Sequence, residues 1–365
     1  MIRWRSGEVE SVGRRWRGAV ECSVRVDRRT EADPETVRAL AYPRLVGEPE
    51  AGDRVLLNTN ALALGLGTGG YALVVAFPDR LPVDAVGPEH GPGHIVKARY
   101  TPMQAICLAA DEPDSPHHAT LAAAEDVGGM PVVVADLHSA LPAILAGVHA
   151  DRPDARVAYV MTDGGALPGW FSRTVSDLAD HLAGTVTVGQ AYGGDLEAVT
   201  VHTGLLAARH VLGADVAVVA QGPGNLGTGT PWGYSGVAAG EAVNAAAVLG
   251  GRPVGSLRIS DADPRPRHRG VSHHSLTAYG RVALAPADLV VPAGLPRGLA
   301  VQVAEAVAPL AHRHRVVSVE CEGLDDALRR SPVKLSTMGR GLDADHAYFL
   351  AAAAAGRYAA QLLSA

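Results

Sequence analysis

Cysteine is scarce in this sequence. Its 365 residues include only three, Cys22, Cys107 and Cys321. They lie far apart, with none of the paired spacings of a disulfide framework or a cysteine-based zinc site. Aromatics are scarce too, at 4%, so the core must be built from Val, Leu, Ala and Ile. There is no excess of basic charge. The net charge is −6 and the pI is near 6.2, which argues against nucleic acid as a partner. The one gathering of arginines is Arg14, Arg15 and Arg17, then Arg25, Arg28 and Arg29. It falls among alternating apolar residues and reads as the solvated outer face of strands. A membrane span is lacking as well. The apolar tract Ala351–Ala355 is short and a span needs about 20 residues. The opening Met1-Ile2-Arg3-Trp4-Arg5 has no signal-peptide hydrophobic stretch. These absences predict a cytoplasmic protein without a membrane partner.

What is present is an ordinary globular balance, 47% hydrophobic and 19% charged, with 42 glycines. The patterning divides the chain in two. Residues 1–95 read as a β-rich N-terminal domain, a small barrel or sandwich, because Gly18 to Val26 alternates in period two and turns recur at short intervals. The Gly65–Gly70 loop looks like a phosphate cradle, but no helix pattern follows it, so it reads as a turn. Residues 78–93 read as a linker or exposed loop. Residues 96–365 read as an α/β domain. From Pro131 onward, continuous apolar runs (131–135, 156–161, 185–188, 215–220, 254–259, 289–292, 315–321) alternate with helical patterns, among them 139–149, 172–182, 202–212, 237–249, 297–312 and 343–363. Such alternation predicts a mostly parallel sheet flanked by helices.

Open parallel sheets bind ligands beyond the carboxyl ends of their strands. The predicted strand ends carry Asp136 and His138; Asp163-Gly164-Gly165; Gly222 to Thr230; and Asp261, followed by Arg267 to Ser275. Asp136, His138, Asp163, Asp261, His268, His273 and His274 are therefore the candidate catalytic residues. A carboxylate beside an imidazole suits metal binding or general-base work, and an Asp capping the next helix is the structural alternative. Asp136, His138 and Asp163 are the candidate ligands of a divalent metal. Because His273 and His274 are adjacent, only one is expected to point into the site. Gly222, Gly224, Asn225, Gly227, Thr228, Gly229, Arg267 and Ser275 are the candidate substrate contacts, the loop as an anion cradle and Arg267 as a clamp on a carboxylate or phosphate. The loop matches G-x-G-x-x-G, but the helix after it is delayed and no acid follows at the required distance. That argues against a nicotinamide dinucleotide.

Several segments together resemble a bacterial family labelled domain of unknown function 3866. They are Asn58 to Gly70, Arg99 to Gln104, Met161 to Pro168, Gly222 to Thr230, Arg267-His268 and Ser272 to Ser275. The resemblance spans nearly the whole chain and implies a member of roughly this layout. It implies no particular reaction. The residues themselves point to a hydrolase or group transferase acting on a small anionic molecule, metal-assisted or not. The competing reading is a non-catalytic ligand-binding or regulatory protein with an anion-binding rim. A homo-oligomer is left open.

Overall fold

The computed structural model describes residues 2–66, 69–82 and 93–363. They form two compact units, residues 1–107 with 170–176, and residues 108–169 with 177–365.

In the first unit, five strands close into a barrel: β1 (Trp4–Trp16), β2 (Ala19–Val26), β3 (Thr36–Ala41), β4 (Arg54–Asn58) and β5 (Ala72–Ala76), in the order β1-β2-β3-β5-β4. Closure leaves no sheet edge open to pairing. The alternation in β2 sends Val20, Cys22, Val24 and Val26 into the core and leaves Arg25 outside, 3.0 Å from Glu8. Arg15 pairs outside with Glu48 at 2.6 Å. Arg14, Arg15 and Arg25 thus stand on solvated strand faces, whereas Arg17, Arg28 and Arg29 lie on exposed segments outside the strands. Burial pushes the Cys22 thiol up to about 11, which removes its thiolate character at neutral pH. A separate hairpin pairs β6 (Ile95–Lys97) with β7 (Ala105–Cys107). Gly65, Gly69 and Gly70 all have positive φ and lead directly to β5, as a turn should. Gly67 and Thr68 of that loop, and residues 83–92 of the expected linker, lie outside the described residues.

The second unit is built on eight strands: β8 (Pro131–Val134), β9 (Val157–Thr162), β10 (Gly184–Thr187), β11 (Leu196–Glu197), β12 (Val216–Gln221), β13 (Arg252–Ser256), β16 (Asp288–Pro292) and β17 (Arg315–Val319). Two short strands, β14 (Ile259–Ser260) and β15 (Gly270–Val271), pair with each other after β13. A further pair, β18 (Ser336–Thr337) and β19 (Arg340–Gly341), precedes the last helix. The sheet order is β11-β10-β9-β12-β8-β13-β16-β17, and every neighbouring pair is parallel. Every residue of β8 and β12 is buried, as expected of strands covered on both faces.

One helical layer holds Leu141–Asp151, Leu324–Arg329 and His346–Leu362; the other holds Val201–His210 and Ala238–Val248. The helix that follows β8 belongs to the first layer and the helix that follows β12 to the second. The two strands are neighbours, so their connections diverge between them. That is a topological switch point, where a crevice opens at the carboxyl ends of the strands.

The predicted helix over 172–182 is broken. Trp170–Ser176 belongs to the barrel unit, where the Trp16 indole donates to the Trp170 carbonyl (2.7 Å). Ser172 caps only a short helix, its Oγ accepting from the Val175 amide (3.0 Å). The alanine tract of the last helix has a packing reason. A Cβ on Gly147 would lie 1.9 Å from the Ala353 carbonyl oxygen, and one on Gly356 2.0 Å from that of Ile144. The two helices cross backbone to backbone through small residues. Gly147→Ala is expected to cost at least about 1–3 kcal/mol by overpacking, read as a lower denaturant midpoint; an unchanged midpoint would contradict this crossing. Among the described residues, no helix is long and apolar enough to cross a membrane.

Candidate functional site

At the switch point, β8 runs into Asp136 and β12 ends on Gln221. The Gln221 side-chain amide donates to the Asp136 carbonyl and to Asn225 Oδ1, both at 2.7 Å. It thereby ties the two strand ends together. Gly164 and Gly165 are required by this approach. A Cβ on Gly164 would lie 2.5 Å from Gln221 Oε1, and one on Gly165 2.1 Å from the Gly222 carbonyl oxygen. The Asp-Gly-Gly turn is therefore shaped by close packing. A cavity here holds about one water-sized sphere. Its walls include Asp136, Thr162, Gln221, Ser235 and Gly236.

The histidines arrive by a second route. β14 pairs with β15 in antiparallel register, Ile259 opposite Val271, so the intervening loop folds back toward the end of β13. The Ser272 amide then donates to the Arg258 carbonyl (2.8 Å), and the Arg258 amide to Ser275 Oγ (2.9 Å). Ser272 caps the short helix His273–Thr277 by accepting from the His274 amide (3.2 Å). Its Oγ also lies 2.7 Å from His268 Nδ1. The three rings meet: centroids are 5.0 Å apart for His268 and His273, 4.9 Å for His268 and His274, and 4.5 Å for His273 and His274. Both adjacent histidines face the cluster, against the expectation of one. The turn of a helix start separates successive side chains by about 100° rather than the 180° of a strand.

Tyr234 stacks on His274 (centroids 3.7 Å, 3° between planes) and donates to its carbonyl (2.7 Å). His274 Nδ1 lies 3.4 Å from Asp136 Oδ2, which joins the loop to the strand end. The pair is not aligned for a hydrogen bond. Both atoms are buried without one, as are Gln221 Oε1, Arg258 NH1 and His273 Nε2. Buried polar atoms are normally satisfied, so such a gathering calls for an explanation.

Burial and nearby charge favour the neutral imidazole at His268 and His273. Burial, reinforced by Arg258, lowers the His268 pKa to about 3; burial, reinforced by His274 and Arg267, lowers that of His273 to about 4. Below them lies a buried ion network. Asp263, fully buried, meets Arg258 (3.2 Å), Arg265 (2.9 Å) and Arg340 (3.2 Å). The hydrogen bonds from Arg265 hold its carboxyl far below the usual range. Asp345, also buried, takes Arg340 Nε (2.9 Å) and the Ser260 hydroxyl (2.8 Å).

The other expected residues are placed elsewhere or used locally. His138 Nδ1 lies 3.0 Å from the Tyr159 hydroxyl, which donates to the Gln221 carbonyl (3.0 Å). Burial lowers the His138 pKa to about 4. Asp163 Oδ2 accepts from the Gln190 amide (2.8 Å) and faces the turn after β10. Asp136, His138 and Asp163 do not gather as a ligand set; among the described residues the three-histidine group does. Asp261 is exposed, two residues from the buried Asp263. Ser275 is occupied by the Arg258 amide. Arg267 is exposed and reaches toward Gly229, 3.8 Å from where its Cβ would stand.

The Gly222–Gly229 segment folds into a tongue. Gly222 gives clearance to the Ala166 carbonyl, which a Cβ would approach to 2.6 Å, and Gly224 and Gly229 supply positive φ. Several of its amides are already paired. Leu226 N donates to Ser235 Oγ (3.0 Å), Thr228 N to the Gly233 carbonyl (2.7 Å) and Gly233 N to Thr230 Oγ1 (3.1 Å). Asn225 Oδ1 also accepts from the Ser235 hydroxyl (3.1 Å), and the Thr228 hydroxyl is used within the loop. Gln221, Arg258, Asp263 and Tyr234 are not among the site residues expected from the sequence. The one available signal was a polar residue closing an apolar strand, which marks Gln221.

The chain belongs to the DUF3866 family, described as protein of unknown function, whose profile matches residues 38–356. No curated protein and no solved structure matches it.

Proposed function

We propose that this family member is an enzyme, a hydrolase or group transferase, acting on a small anionic substrate at the carboxyl-end rim between β8 and β12. The observation that carries the reading is the convergence of five buried, unpartnered polar atoms, on Asp136, Gln221, Arg258, His273 and His274. Leaving such groups unmet costs about 1–3 kcal/mol each and more when charged, a cost typical of functional sites.

Asp136 and His274, 3.4 Å apart, are a carboxylate beside an imidazole, suited to general-base or metal-assisted activation of a bound water. The Arg258 guanidinium, anchored through one nitrogen on Asp263, offers NH1 to a carboxylate or phosphate. Arg267 stands at the exposed side. Because the cavity admits only a water-sized sphere, the substrate enters as the Gly222–Gly233 tongue lifts. We infer a cytoplasmic setting, which the thiols of Cys22, Cys107 and Cys321, none of them in a disulfide, support.

Calorimetry with inorganic phosphate tests the anion grip. Binding is expected in about the millimolar range or tighter, and at least tenfold weaker in Arg258→Lys, which keeps the charge and loses the planar fork. Equal affinity in that variant would remove Arg258 from the reading.

A further inference from the structure

We propose that the rim holds one zinc-class dication, bound by ring nitrogens of His268, His273 and His274, with the Asp136 carboxylate as a fourth ligand that water or substrate displaces. The inference rests on the same rim being the working site and names the group that completes it. One ring nitrogen of each histidine lies within 4.8 Å of those of the other two. Ligands at about 2.0–2.1 Å from a tetrahedral ion stand roughly 3.3 Å from one another. The 3.4 Å between His274 Nδ1 and Asp136 Oδ2 already matches that spacing, and the histidine nitrogens, within 4.8 Å of one another, would draw in on the ion by up to about 1.5 Å.

Three of the unpartnered atoms, Asp136 Oδ2, His273 Nε2 and His274 Nδ1, are then explained by one occupant. A hydrogen-bonding ligand would satisfy them only if each donor met an acceptor, whereas an ion takes all three as lone-pair donors. The fourth donor atom, His268 Nε2, is left available because Ser272 holds Nδ1. That contact fixes the ring as outer-shell partners of metal ligands do.

The surroundings suit a cation despite the nearby arginines. Arg258, Arg265 and Arg340 are held by Asp263 and Asp345, which leaves the Asp136 carboxylate, 3.4 Å from His274 Nδ1, as the anionic group facing the ion. Three imidazoles and a carboxylate, with no thiolate among them, favour zinc or its first-row neighbours over magnesium or calcium.

The test uses the full chain freed of metal with a chelator. Calorimetry with zinc chloride should show one ion per chain, and cobalt chloride should give the visible absorption bands of a tetrahedral site. His273→Gln and His268→Gln should each weaken binding at least 100-fold while melting cooperatively. His117→Gln, in a loop away from the cluster, should change nothing. The proposal is overturned if no saturable one-to-one binding occurs, if both cluster variants bind as the parent does, or if His117→Gln abolishes binding. Because metal binding is read without turnover, the centre can fail while phosphate binding survives, and the converse.

Discussion

Asp263→Asn is expected to destabilise the second unit by about 3–5 kcal/mol, the usual cost of removing one partner from a buried ion network. Asp263 takes three guanidiniums, and the loop from Ser260 to Arg269 is folded around it. Its oxygens accept from the Arg265 amide (3.0 Å) and from Arg265 Nε (2.9 Å), and its carbonyl from Arg269 Nε (3.0 Å). Denaturant unfolding followed by circular dichroism reads the loss; a change under about 1 kcal/mol would show that the network is dispensable. The same carboxyl sets an acid limit. Its folded pKa is depressed below its unfolded value. Its stabilisation is therefore fully present above the unfolded aspartate range, about 3.9, and is lost as pH falls through and below it. Asp263→Asn should flatten the stability profile on that acid side.

Asp136→Asn should behave in the opposite way. Its Oδ2 is buried without a hydrogen bond, so replacing the charge with an amide relieves an unmet group. Stability is expected to hold within about 1 kcal/mol of the parent or to rise. Turnover is expected to fall roughly 100- to 10,000-fold, the range for losing a positioned acid or base. A residue that costs stability and carries function diverges in this manner. A variant that loses stability and keeps turnover would make Asp136 a structural carboxylate.

The sheet was legible because β8 and β12 are unbroken apolar runs, which only strands covered on both faces tolerate. The strand-end rule then drew attention to Asp136 and the His268–His274 segment, and the structure brings those residues together. Other parts were hidden for physical reasons. Arg258 lies beside the β14 strand, and its buried charge is met only in space, by Asp263, which also takes Arg265 and Arg340. Asp261 and Asp263 are two residues apart, and nothing in the local pattern says which one turns inward. The glycines at 164, 165 and 222 look like ligand loops in a sequence, yet each is fixed by a carbonyl or amide oxygen that a Cβ would strike. The β11 edge strand, Leu196–Glu197, is too short to carry a period.

The most direct test is a turnover screen of the full chain against phosphoesters, esters and amides of small anionic acids, run in parallel on the parent, Asp136→Asn and His274→Ala. The account predicts hydrolysis or transfer on at least one class by the parent, lost at least 100-fold in both variants with their cooperative melting retained. Turnover that persists in both variants, or a folded parent that binds phosphate and turns over nothing across the screen, would contradict it.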